Sequence, residues 1–424
     1  MAFRARQSGF ALAACLTILN VSAAGQASRE TLATIFNFPN SYGQPWTGVV
    51  LGNGGVLYGT MAWPNGAIYS LTPQASGGWT YTILYTFGPA GSFSVSPNGL
   101  AIDSHGVLYG TNFAGGNTTG ACGVHLAGCG SVYSLTPPTS PGGPWTETTL
   151  YNFAGVADGA APGAGVTMGS DGVLYGTAEL RGSGNGTVFS LTPPASAGGA
   201  WTEATLYTFA GGADGAHPAG NLAIDSHGVL YGTTNFGGGS NHGTVFSLTP
   251  SPGGAWTETV LSGFTDGGNG STPSGGVLRG PDGILYGSTS YGGTANGGVV
   301  YALAPPSGPG GSWTETALHK FSADGSIPLP GPLAWGNDGN LYGTTSRGGA
   351  NREGSIFALS PPASSGGPWT FLDIYSFAQP GGTNPPFGFY TGGEVLAVDA
   401  SGLVYGATLE GGTSSFGTVF ALHP

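Results

Sequence analysis

The chain has 424 residues, 84 of them glycine, with 39% apolar and only 7% charged side chains. That apolar share excludes a disordered chain, and the abundance of valine, threonine and aromatic residues beside a single lysine and three methionines points to an all-β fold. The net charge of −12 excludes a nucleic-acid partner, which needs a basic patch to displace counterions from phosphate, and disfavours anionic lipid surfaces.

The N-terminus places Arg4 and Arg6 before an apolar run from Phe10 to Val21, followed by small residues. This is the layout of a secretory signal peptide. Cleavage after Ala23 or Ala27 fits, and the signal is assigned to residues 1–23. A second reading takes Leu12–Cys15 as a lipobox with a lipid on Cys15, although the apolar run continues six residues past that cysteine. A secreted or extracellular location, the periplasm included, is expected. No other segment approaches the roughly 20 apolar residues that span a bilayer.

Glu30–Phe38 reads "ETLATIFNF", a strand that stands alone before the repeats begin. Thereafter the phrase "LAIDSHGVLYGT" occurs at Leu100–Thr111 and again at Leu222–Thr233. Its core "LYG", once "VYG", recurs at Tyr58, Tyr109, Tyr175, Tyr231, Tyr286, Tyr342 and Tyr405, spaced 51 to 66 residues apart. Such a period belongs to propellers and solenoids. Each copy is followed by a "GTVFSLTP" phrase and, in six units, by one of the "WTETTLYNF" type whose Trp and Phe are eight apart, as in Trp201 and Phe209. An even spacing predicts that both rings face one side of a strand. Each unit thus holds four short strands, here called A to D, with Asx-Gly hairpin signals between A and B and proline-rich loops between C and D.

Both faces of such a sheet carry apolar residues, so sheets must stack, and closing the stack into a ring removes its ends. The last unit stops at "GTVFALHP" after strand C, and Glu30–Phe38 is a spare strand D in which Glu30 stands where the others have Trp. The expectation is a seven-bladed β-propeller over residues 30–424, closed by residues 31–38 as the outer strand of blade seven. The units fall at about 46–87, 88–153, 154–209, 210–264, 265–321, 322–377 and 378–422.

"GTVFSLTPSPGGAWTETVL" and "FAGGADGAHPAGNLAIDSHGVLYGTTNFGGG" resemble the GloVer tandem repeats of choice-of-anchor bacterial surface and secreted proteins, over about Glu30 to Pro424. "LAIDSHGVLYG" is more weakly similar to the NHL class of propeller repeat. The resemblance implies export and repeats and transfers no catalytic residue. No anchor is read after the last strand.

In a propeller of this chain order the D–A and B–C loops share one face, the usual ligand face. Its D–A loops carry Asp158, Asp214, Asp266 and Asp324, each before glycine. They are read as turn caps, with Ca²⁺ ligation as the alternative. The B–C loops hold Glu179, Arg181, Arg347, Arg352 and Glu410. Where strand B ends stand Trp63, Leu180, Phe236, Tyr291, Arg347 and Glu410, with Phe113 one place earlier in its unit. Their rings either pack between blades or stack on sugar faces. His217 and His242 fall on the same face, while His105 and His227 belong to turns. "GACGVHLAGCG" places Cys122 and Cys129 in a B–C loop. A disulfide is expected for an exported protein, against a metal site that would add only His125.

Function classes follow. The first is an exported module that binds a glycan or a surface protein through Trp63, Phe113, Phe236, Tyr291, Arg181, Arg347, Glu179, Glu410, Asp158 and Asp214. The second is a glycoside hydrolase or polysaccharide lyase, which needs two carboxylates about 5 to 9.5 Å apart. A purely structural surface part is the third. No cofactor, metal or membrane span is expected, and the chain is expected to act as a monomer.

Overall fold

The computed structural model describes residues 31–39, 44–61, 66–88, 96–117, 122, 128–155, 157–180, 184–196, 198–273, 275–308, 310–321, 327–328, 333–364, 366–378 and 396–423. The signal-peptide and Cys15 readings, Trp63, His125, Arg181 and Asp324 lie outside them.

Seven antiparallel sheets follow one another along the chain. Blade one comprises Pro45–Leu51, Leu57–Met61, Ala67–Pro73 and Trp79–Thr86. Blades two to five repeat this order between Pro97 and Asn152, Thr167 and Thr208, Ala216 and Gly263, and Leu278 and Lys320. In blade six two short segments, Ile327–Pro328 and Ala334–Trp335, share the edge of Leu341–Arg347. Blade seven takes Leu396–Val398, Val404–Thr408 and Thr418–His423 from the C-terminus and Thr31–Asn37 from the N-terminus. Thr31 pairs with His423 and Asn37 with Thr418. The surplus strand at the head completes the sheet at the tail, as its sequence pattern requires.

The first strand of every sheet is innermost. Val50, Leu100, Met168, Ala223, Leu278, Ala334 and Ala397, one from each blade, line a single axial cavity of about 630 Å³. The seven sheets therefore form a ring.

The repeated phrase accounts for itself in this geometry. Asp103 accepts hydrogen bonds from the backbone N–H of His105 and Val107 at 2.8 and 2.9 Å, which holds the A–B turn. The hydroxyl of the repeat tyrosine donates to the same carboxylate, at 3.4 Å from Tyr109 and at 3.2 Å from Tyr231 to Asp225 in blade four. The glycine after the tyrosine is set by the strand opposite. A Cβ on Gly232 would come within 2.7 Å of both Phe246 and Leu222, so no larger residue fits without displacing the core.

Aromatic contacts of two kinds rivet neighbouring blades, the first of them at six of the seven seams among the described residues. The repeat tyrosine of one blade meets the strand-D tryptophan of the next, as in Tyr109 to Trp201 at 6.2 Å, and Tyr405 of blade seven meets Trp79 of blade one at 6.2 Å. The strand-D phenylalanine reaches forward to the strand-C ring of the next blade, as in Phe209 to Phe246 and Phe38 to Tyr69, each at 5.2 Å. Tryptophan and phenylalanine thus face opposite neighbours, contrary to the alternation argument. The cause is a bulge: Val188 pairs with Tyr207 and Phe189 with Thr205, so Leu206 is skipped and the side-chain phase inverts between Trp201 and Phe209. The same register shift recurs in blades one, two and four to six.

Among the described residues no helix is long and apolar enough to cross a membrane. Cys122 and Cys129 form a disulfide with their Cα atoms 5.2 Å apart.

Candidate functional site

On the face of the D–A and B–C loops, blades one to four converge on a cavity of about 380 Å³ lined by Trp46, Ser96, Asn98, Phe113, Glu179, Leu180, His217 and Phe236. Each comes from a strand terminus or the first residues of a loop. Trp46 and Asn98 begin the inner strands of blades one and two. Phe113 and Glu179 directly follow Leu108–Asn112 and Leu174–Ala178, and Phe236 ends Leu230–Phe236.

The loop frame is rigid for identifiable reasons. Asp158 is 8% exposed and accepts from the Tyr151 hydroxyl at 2.9 Å and the Ala154 N–H at 2.7 Å. Asp214 accepts from the Tyr207 hydroxyl at 3.1 Å and the Ala210 N–H at 2.8 Å. Asp266 accepts from the Ser271 hydroxyl at 2.7 Å. These carboxylates fasten their own loops, as the turn-cap reading proposes, and none of the three lines the pocket. Among the described residues no three His, Cys, Asp or Glu side chains converge as a metal site.

The disulfide loop joins this frame. The Ala161 N–H donates to the Cys129 carbonyl at 2.9 Å, and the Glu179 N–H donates to the Ala161 carbonyl at 3.2 Å. One residue, Ala161, therefore links the backbone of the disulfide-bonded Cys129 to the backbone of Glu179.

Glu179 and His217 are the pocket's titratable pair. The Glu179 side chain is 16% exposed and that of His217 30%, with Oε1 and Nδ1 3.9 Å apart. Burial pushes the Glu179 carboxyl up to about 7, and burial lowers His217. Mutual attraction would move both the other way, so at this separation desolvation outweighs it. The His217 ring stands edge to face on Phe236 at 5.5 Å, and Phe236 remains 44% exposed. His217 has φ 55°, a left-handed backbone shared by Ala161 at 54° and Thr272 at 57° in the adjacent blades. The strained position is therefore architectural, and the imidazole is what blade four adds to it.

Two lining residues carry buried polar atoms without a partner among the described residues: the Trp46 indole nitrogen and the Asn98 side-chain oxygen. The Asn98 amide nitrogen donates to the Pro162 carbonyl at 2.7 Å, which fixes the side chain. Native interiors seldom leave such groups unpaired.

Of the residues singled out from sequence, the structure gathers Phe113, Glu179 and Phe236 together with Leu180 and His217. Tyr291, 38% exposed, and the exposed Arg347 and Glu410 belong to blades five, six and seven, outside this lining. His242 is also outside it; its carbonyl accepts from the Thr272 N–H. Trp46, Ser96 and Asn98 escaped sequence reasoning. Trp46 did carry a signal, since six of the nine tryptophans occupy the strand-D phrase and only Trp46, Trp63 and Trp335 break it.

The model of the Gloeobacter/Verrucomicrobia repeat matches residues 44–277 and 254–424. No curated protein matches the chain. Among solved structures, a catalytically inactive virginiamycin B lyase from Staphylococcus aureus, crystallised with quinupristin, is similar at 17% identity and a TM-score of 0.56, over 93% of this chain and 99% of that one. The periplasmic gluconolactonase of Pseudomonas aeruginosa is similar at 15% identity and a TM-score of 0.49, over 89% and 96%. At these identities the likeness is one of fold.

Proposed function

The chain belongs to the Gloeobacter/Verrucomicrobia repeat family, and we propose that it is an exported binding module that takes the end of a glycan in the pocket of blades one to four. One observation carries this reading: Trp46, Phe113 and Phe236, from three different blades, meet around one concavity that also holds polar groups. Aromatic walls stack on the apolar face of a sugar ring. Hydroxyls of the same ring offer partners to the Trp46 N–H and the Asn98 oxygen, which have none among the described residues. A volume of about 380 Å³ falls in the range of small-ligand sites. Export is supported by the N-terminal signal pattern and by the disulfide, which oxidising compartments favour.

Hydrolysis is less well supported. It calls for two carboxylates facing each other, and Glu179 is the single carboxylate among the described lining residues, with Asp158 and Asp214 bonded to their turns. A glycan array probed with the mature protein and with Phe236→Ala tests the reading. Binding to a restricted set of glycans, weakened at least tenfold by the substitution, is expected. Identical profiles for the two proteins would refute this pocket as the glycan site.

A further inference from the structure

We propose that the pocket selects a glycan end bearing a free amine, an unacetylated amino sugar whose ammonium sits against the Glu179 carboxylate while its ring lies on the aromatic walls. This rests on the glycan-binding reading and names the class of sugar.

The argument begins with what Glu179 lacks. A carboxylate withdrawn from water is costly unless a cation or several donors compensate it. Glu179 is 16% exposed, and His217, at 3.9 Å, is beyond hydrogen-bond reach and is itself held toward the neutral form. Lysine and arginine are absent from the described lining; Arg181, two residues along the chain, lies outside the described residues. The other walls are Trp46, Phe113, Leu180 and Phe236 with the polar Ser96 and Asn98. Aromatic faces around a lone carboxylate make a receptor for an organic cation, because each ring adds attraction through its quadrupole.

A neutral sugar leaves the carboxylate as it was, and an N-acetyl group replaces the needed charge by an amide. An acidic sugar brings a second negative charge into the same low-dielectric space. An amino sugar supplies both the apolar ring face and the ammonium in one compact unit. The chain's net charge of −12 also draws a polycationic glycan toward the surface over longer distances.

The test is calorimetry of the mature protein with glucosamine oligomers and with N-acetylglucosamine oligomers of equal length. The deacetylated series is expected to bind at least tenfold more tightly. Glu179→Gln is expected to bring the two series within about twofold, whereas Arg181→Gln keeps the preference. Proton release on binding near pH 7, read from buffers of different ionisation enthalpy, is expected to be larger for the wild type than for Glu179→Gln. Equal affinity of the wild type for both series, or a preference that survives Glu179→Gln or vanishes with Arg181→Gln, overturns the amine assignment and leaves the glycan reading standing. Failure of both series together with a blank glycan array removes both. The wild-type comparison keeps the proposal falsifiable even if Glu179→Gln does not fold.

Discussion

The ring depends on one joint that the chain must close by itself, and Phe38→Ala probes it. Phe38 is fully buried, packs on Tyr69 of blade one at 5.2 Å and on Phe36 at 5.1 Å, and its N–H donates to the Gly417 carbonyl at 3.1 Å. Phe209 occupies the same place inside the chain, between blades three and four, at the same 5.2 Å from Phe246. Truncating a buried phenylalanine costs about 3–5 kcal/mol. With ~2.1 cal/mol/K of unfolding entropy per residue over roughly 390 residues, a loss of ~4 kcal/mol lowers Tm by ~5 °C. Phe38→Ala and Phe209→Ala should therefore fall by similar amounts in a thermal melt followed by circular dichroism. If the blade-seven joint were frayed or absent, Phe209→Ala alone would shift Tm. A Phe38→Ala melt within 1 °C of wild type would refute closure by the N-terminal strand.

Three further outcomes follow from the same geometry. Gly232→Ala should destabilise by about 1–3 kcal/mol, read as a lower denaturant midpoint, because its new Cβ meets Phe246 and Leu222 at 2.7 Å; an unchanged midpoint would contradict the packing described for the repeat glycine. Burial, with Asp214 nearby, pushes the Glu258 carboxyl up to about 7. The stability of its protonated form is fully present below the ordinary glutamate range and lost as pH rises through about 7, so Glu258→Gln should raise Tm more at pH 8 than at pH 4. Equal gains at both pH values would refute the linkage. Replacing Cys122 and Cys129 by alanine removes a bridge across a separation of 7 residues, which should cost about 2–3 kcal/mol by loop entropy. Through Ala161 it should also weaken glycan binding; intact affinity in the double variant would refute that link.

The fold was legible because each of its devices repeats. Asp103 with Tyr109 and Asp225 with Tyr231 are the same turn written twice, and the missing strand of the last unit matched the surplus one at the head. What alternation could not reveal was the bulge at Leu206, since an inserted residue changes the phase of a strand without changing its composition. The site was half legible. Phe113, Glu179 and Phe236 lie where strand B ends, which the repeat locates. Trp46 comes from the start of the inner strand of blade one, and Ser96 and Asn98 from that of blade two beside Phe113; how they meet Glu179 and Phe236 of blades three and four depends on how far each blade turns about the axis. No local pattern encodes that rotation.

The pocket illustrates how a ring of near-identical blades acquires one distinct place. Ala161, His217 and Thr272 share a left-handed backbone, each bonded through its N–H to a carbonyl of the preceding blade. Two of the three carry small side chains that leave the mouth unmarked. Of the three, only His217 carries an imidazole, and beside it the blade-three B–C loop presents the largely buried side chain of Glu179. The repeat thus supplies the scaffold cheaply, by copying turns and rivets, while recognition arises where copies differ. It follows that exchanging His217 for the alanine of blade three should leave the melting temperature near that of the wild type, since Ala161 already tolerates the backbone there. The same exchange should reduce glycan affinity by stripping Phe236 of its edge-to-face neighbour. A His217→Ala protein that binds unchanged but melts far lower would invert this division of labour between copied frame and divergent site.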